Sequence, residues 1–307
     1  MNYYYLINIA TIIVLIAICV LFNNWITKYL KWKSEEIKEG FFDDKNVEIG
    51  IVSMMKNPKN IETWLNTHRT LGIKHFYIRL EDSPKVETFL NEQTDVTLQI
   101  GKSTGINEYD EIQTRQNTWV NEAFKIALTD KNQIGWLIHI DSDELLEGSV
   151  HTLNTLPENV RTFWIQNHEA KFEGVPSKTD NCFSAAEFID CAKEPGKCVS
   201  YGNGKSGGRV AKDVSANGPH RMKSSHPNAV DQKIDDIIVQ HFESCDFDIY
   251  KQKFEQLAKQ NKGQKAIPFK YYNESIQAAN ENDDTKLRQI YSKYRVVGDI
   301  SPTTPSL

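Results

Sequence analysis

From Val47 onward, short apolar runs alternate with stretches in which apolar residues recur every three or four positions. VEIGIVSMM reads as a strand that stops at Lys56-Asn57-Pro58, a turn signal. Ile61, Trp64, Leu65, His68 and Leu71 then share one face of a helix, which Gly72 closes. KHFYIRL (Lys74 to Leu80) predicts a second strand ending at Glu81-Asp82-Ser83-Pro84. Val86 to Leu90 suggests a short helix, and DVTLQI (Asp95 to Ile100) a third strand. A long helix follows from about Asp110 to Leu128, with Trp119, Val120, Ala123, Phe124 and Ala127 on its apolar side. GWLIHI is the fourth strand.

Strands alternating with helices imply βαβ units and a parallel sheet covered on both faces. In such a sheet ligands lie beyond the carboxyl ends of the strands. Asn57, Asp82 and the acidic group beginning at Asp141 all fall on that edge. No Gly-x-Gly-x-x-Gly follows the first strand, and Gly204-Lys205-Ser206 lacks the upstream glycine of a P-loop. A dinucleotide dehydrogenase and a P-loop enzyme are therefore both poorly supported.

The first residues have a different pattern. Leu6 to Phe22, LINIATIIVLIAICVLF, carries no charge, with aromatic residues on both sides. It predicts a single membrane-crossing helix used as a signal anchor. The expected order is an anchor over residues 1–24, a charged stalk over 25–46, a catalytic body over 47–262, and a helical C-terminal extension and tail over 263–307. Lys28, Lys31 and Lys33 favour a cytosolic body by the positive-inside rule. Cys182, Cys191, Cys198 and Cys245 form an even set that suggests disulfides, and on that ground a lumenal body is favoured. Composition adds one exclusion. A formal net charge of −5 argues against a general nucleic-acid binder.

The candidate chemistry starts at WLIHIDSDELLEG, where an apolar strand runs straight into acids. Asp141-Ser142-Asp143 places two carboxylates at one strand end, and hard divalent cations such as Mg²⁺ or Mn²⁺ take oxygen ligands of this kind. The competing reading is a cap, with Asp141 or Ser142 opening a short helix near Glu144. GNGKSGGRV combines glycines with Lys205 and Arg209. Such a loop either binds diphosphate through backbone amides and the two cations, closing as a lid over it, or is simply solvated. Arg221 and Lys223 extend the same positive stretch. Ser53, Lys56, Asn57 and Asp82 lie near the ends of the first two strands and are candidate ligand contacts there, although Asp82 also suits a turn before Pro84. His139, inside the strand, is assigned to the core.

VSMMKNPKNIETWLNTHRTLGIKHFYI, WLIHIDSDELL, YGNGKSGGR, HRM and VQHFESCDFDIYKQKF together resemble a nucleotide-sugar glycosyltransferase of the GT-A fold, family 2-like or family 92-like. The likeness runs from about Val47 to Phe254. It implies an α/β, Rossmann-like mixed sheet and transfer of a hexose-type sugar from a nucleotide-diphosphate donor to a glycan, protein or lipid acceptor, assisted by Mn²⁺ or Mg²⁺. By that resemblance Asp143 is the direct metal ligand, and Asp141 contacts the metal or the donor's ribose, with Glu144 supporting them. His241 is the third ligand, with His220 as alternate, and Asp82 and Arg115 lie near the donor. An inverting transfer needs a carboxylate base, for which Glu169 is preferred over Glu173 and Asp213. A catalytically silent sugar-binding module and a metal-dependent phosphohydrolase are the alternatives.

Overall fold

A computed structural model describes residues 18, 20–28, 47–103, 108–174, 181–199, 201–260 and 269–297. The chain divides into two units, Met1–Asn46 and Val47–Leu307. In the first, residues 20–28 are helical. Among the described residues no helix is long and apolar enough to cross a membrane. The expectation of a single-pass membrane protein is corrected on that finding; most of the apolar run that prompted it lies outside the described residues.

In the second unit β1 (Glu48–Lys56), β2 (Ile73–Glu81), β3 (Val96–Gly101) and β4 (Ile134–His139) pair in parallel, in the order β3-β2-β1-β4. They are joined by α1 (Ile61–Leu71), α2 (Pro84–Asn91) and α3 (Glu108–Ala127). Alternate residues of β1 point to opposite faces. Ile49 and Ile51 share one core with Trp64 and Leu65 of α1, whereas Val52 and Met54 share another with Trp119 and Val120 of α3. The helices thus cover both faces. Gly72 ends α1 at φ 102°, the left-handed conformation that favours glycine at this position.

Beyond β4 the sheet becomes mixed. The later strands are β5 (Glu144–Gly148), β6 (Val160–Lys171), β7 (Glu187–Asp190), β8 (Lys205–Arg209), β9 (Val214–Ala216), β10 (Met222–Ser224) and β11 (Val230–His241). The main sheet continues from β4 through β8, β6 and β11 to β5, with β7 also on β6; β9 and β10 form a separate pair. β8 lies antiparallel between β4 and β6. A side chain at Gly207 would meet the Phe163 ring and the Leu137 carbonyl at 2.5 Å, so only glycine fits there. The acids after β4 do not cap a helix. Glu144–Gly148 instead pairs antiparallel with β11.

The chain closes with α4 (Phe247–Gln260), α5 (Lys270–Asn280) and α6 (Asp284–Arg295), packed around Phe247, Tyr250, Phe254, Tyr271 and Tyr291. A bridge between Phe172 and Val296 fastens the end of α6 to the end of β6. Beside it the buried Lys171 ammonium donates to the carbonyls of Tyr294 and Lys197. Burial, with Arg295 adding to it, pulls the Lys171 pKa down to about 8. The unfolded chain then holds more protons than the native one between pH 8 and the ordinary lysine value, so this group makes stability rise with pH there. Between pH 8 and 9 the wild type should gain roughly 1 kcal/mol relative to Lys171→Met, measured by urea unfolding. Parallel curves for the two proteins would refute the assignment.

Candidate functional site

The carboxyl edge of β1 to β4 is built from residues in unusual conformations. Asn57 (φ 48°) and Asp82 (φ 45°) are both left-handed, as Asn and Asp tolerate. The Asn57 amide donates to the Ser83 hydroxyl at 2.6 Å. Asp82 accepts from the Ser103 amide at 3.0 Å and from its hydroxyl, which hold the Asp82 pKa below the usual carboxylate value. Lys56 reaches the Ser103 hydroxyl at 2.9 Å and stands 3.9 Å from Asp82. Arg115 is held to the same edge by Glu81, its Nε 3.0 Å from Oε1. Ser53 is fully buried beneath. Asn57, Asp82 and Arg115 therefore lie along one rim, next to the end of β4.

Asp141 sits at that end. Its Oδ1 accepts from Gln116 Nε2 at 2.9 Å, and its Oδ2 pairs with the Lys205 ammonium. Glu144 folds back behind it. Oε2 accepts the Asp141 amide at 2.7 Å and lies 3.4 Å from Lys205 Nζ, while Oε1 accepts the Tyr201 hydroxyl. Burial alone raises every carboxyl pKa here. At Asp141 the Lys205 charge outweighs burial, and the pKa falls well below its ordinary value. At Glu144 burial prevails over Lys205, with Asp141 adding repulsion, and the pKa is pushed up to about 8. At Lys205 burial is outweighed by the two carboxylates, which raise its pKa. The charged pair is thus Lys205 with Asp141, and Glu144 keeps its proton near neutral pH.

One step along the chain, Asp143 is 42% exposed and its Oδ2 stands 3.7 Å from His241 Nε2. His241 ends β11, where Nδ1 meets Glu169 Oε2 at 3.1 Å and Nε2 lies 4.0 Å from Glu243 Oε2. Asp143, His241 and Glu243 each offer a ligand atom within 4.8 Å of the others. Oxygen ligands about 2.1 Å from Mg²⁺ stand roughly 3 Å apart when adjacent and roughly 4 Å when opposite, so small closure of these side chains fits such an ion. One nitrogen and two carboxylates also suit a divalent cation, and Glu169 behind Nδ1 is the usual support for a metal-bound imidazole. Glu243 is itself held by Lys253 at 2.7 and 2.8 Å and by the Tyr272 hydroxyl at 3.1 Å. Burial pushes the Glu243 pKa up, but Lys253 prevails and brings it down to about 2.

A cavity of about 210 Å³ opens beside these groups. Lys56, Lys59, Asp143, Phe183, Glu243 and Lys253 are among the residues that line it. The disulfide Cys182–Cys245 forms part of its wall. Cys191 bonds Cys198, so these two are not available as ligands beside Glu169.

Several expectations are corrected by placement. Lys205 and Arg209 lie in the buried strand β8, not on a mobile lid or a solvated loop. Lys205 is spent on Asp141 and Glu144. Arg209 stands at the opposite end of β8, where it donates to the Val160, Leu156 and Pro157 carbonyls over the Trp136 ring. Glu169 is 0% exposed, with one oxygen on Arg295 and the other on His241, so it faces no acceptor hydroxyl. Among its rivals, Asp213 is paired with Arg161 and Glu173 lies exposed outside the cluster. His220 donates from Nδ1 to the Gly204 carbonyl at 2.9 Å and packs against the Tyr201 ring. His139 is buried in β4. Arg221 lies over the Trp164 ring. The sequence reading passed over Glu243, Lys253 and Tyr201. Glu243, two residues after His241 at the end of an apolar run, was the one with a visible signal.

No family profile matches the chain. It is similar to two Arabidopsis thaliana proteins named glycosyltransferase-like. One is 23% identical over 227 residues, 58% of this chain and 49% of that protein. The other is 23% identical over 225 residues, 58% of this chain and 43% of that protein. The match thus spans about half the length of these relatives or less. Among solved structures, CTP:phosphocholine cytidylyltransferase from Streptococcus pneumoniae aligns at 12% identity and a TM-score of 0.27, over 47% of this chain and 65% of that one. HddC from Yersinia pseudotuberculosis complexed with GMP-PN aligns at 7% identity and a TM-score of 0.32, over 64% of this chain and 94% of that one.

Proposed function

We propose that this chain is a divalent-metal-dependent glycosyltransferase that moves a sugar from a nucleotide-diphosphate donor to a glycan, protein or lipid acceptor. The observation that carries this is the convergence of Asp143, His241 and Glu243, the first and last of which line a cavity, on the sheet edge where α/β ligands bind. The similarity to glycosyltransferase-like proteins supports the reaction class.

Mn²⁺ or Mg²⁺ held by those three ligands would neutralise charge on the leaving diphosphate. The chain's own residues do the rest. Asn57, Asp82 and Arg115 line the rim where base and ribose would lie, and Asp141, fixed by Gln116 and Lys205, presents a carboxylate toward the donor. Lys56, Lys59 and Lys253 replace the expected pair of Lys205 and Arg209 as the cations facing the cleft.

The full chain should be incubated with a panel of UDP- and GDP-sugars and Mn²⁺. Chelator-sensitive release of nucleoside diphosphate, by transfer or slow donor hydrolysis, is expected with at least one donor. Sugar-nucleotide binding with no turnover would mark a silent module instead, and neither binding nor turnover would reject the donor class.

A further inference from the structure

We infer that Arg295 is a positioning residue for the metal site, acting through Glu169 on His241, so that the last helix of the fold forms part of that site. This rests on the metal reading given above. Arg295 is fully buried at the end of α6, far from His241 in sequence, and its Nη1 donates to Glu169 Oε1 at 2.5 Å. The other oxygen of Glu169 meets His241 Nδ1 at 3.1 Å. His241 Nε2 then faces Asp143 and Glu243. Three buried groups from α6, β6 and β11 thus form one line ending at the candidate ligands.

Each link has a geometric purpose. A carboxylate on Nδ1 fixes the imidazole plane and leaves Nε2 as the atom offered to the ion. Glu169 can serve that purpose only if its own rotation is fixed, and Arg295 clamps the oxygen not used by His241. Arg295 Nε and Nη2 have no hydrogen-bond partner among the described residues, so Glu169 is the anion to which this buried guanidinium is directed. The backbone holds the clamp in place. Phe172 N donates to the Arg295 carbonyl at 2.8 Å and Val297 N to the Phe172 carbonyl at 3.0 Å. Arg295 therefore cannot drift without undoing the bridge between α6 and β6.

The test is Mn²⁺ affinity of the full chain, read by the loss of free-ion EPR signal, with no turnover required. Arg295→Met alone strands a buried carboxylate, a strongly destabilising change; the double variant Glu169→Gln/Arg295→Met removes both charges and keeps the shape. It should bind Mn²⁺ about 10- to 100-fold more weakly, the usual consequence of losing the partner behind a ligating histidine. Arg295→Lys should recover part of that loss. Arg69→Met/Asp95→Asn removes a pair remote from the cluster and should leave Mn²⁺ affinity unchanged. A folded Glu169→Gln/Arg295→Met protein with wild-type Mn²⁺ affinity overturns the inference and makes the pair structural only. Wild-type protein that takes up no Mn²⁺, or that loses none on Asp143→Ala, overturns the metal reading itself.

Discussion

Asp143→Ala is expected to lower metal-dependent sugar transfer by about a thousandfold, the rate equivalent of losing several kcal/mol of charge stabilisation. The side chain is 42% exposed and stands 3.7 Å from His241 Nε2, too long for a strong hydrogen bond. The backbone carbonyl of Asp143, which accepts from the Phe242 amide at 2.8 Å, survives the substitution. Thermal unfolding in the absence of metal should therefore stay close to that of the wild type. Asp143→Asn separates charge from shape; it should keep the fold and still bind Mn²⁺ poorly. Measured turnover near the wild-type rate in either variant would remove Asp143 from the chemistry.

The first half of the body was legible because each element carries its own period. β1 to β4 and α1 match the predicted spans to within one or two residues, since their core faces are continuous in sequence. The second half was not. Lys205–Arg209 contains no apolar residue, yet it is a central strand, because its neighbours demand small residues and a buried cation rather than hydrophobic ones. Glu144 looked like the first turn of a helix because acids after Asp and Ser suit that position; its partner strand, β11, lies some ninety residues later. The acidic pair was visible as a candidate ion site, and the resemblance set Asp143 apart as the direct ligand, but the physical cause of the difference was not visible. Asp141 differs from Asp143 by its contact with Lys205, and that contact depends on pairing across β4 and β8. Glu169 was chosen as a base for its place after a strand, when the deciding fact is Arg295 at the far end of the chain. Long-range pairing of charges leaves no periodic trace.

Lys205→Met should destabilise the fold by about 3–5 kcal/mol, the range for breaking a buried ion pair from one side. The ammonium is 0% exposed and is shared between Asp141 and Glu144. Methionine keeps the stem but leaves Asp141 charged, partly buried and opposed to a neighbouring carboxyl. The denaturant midpoint should fall with an unchanged slope, as for a loss of stability without a change in the surface exposed. Asp141→Asn combined with Lys205→Met removes both charges and should recover much of the loss, because the cost lies in the stranded acid rather than in the missing attraction. The same double variant should still lack transferase activity, since the carboxylate proposed to face the donor is absent. Stability and activity would then separate at a single pair: the cation serves the fold, and the acid serves the ligand. A Lys205→Met protein as stable as the wild type, with weakened donor binding, would instead return this lysine to the diphosphate.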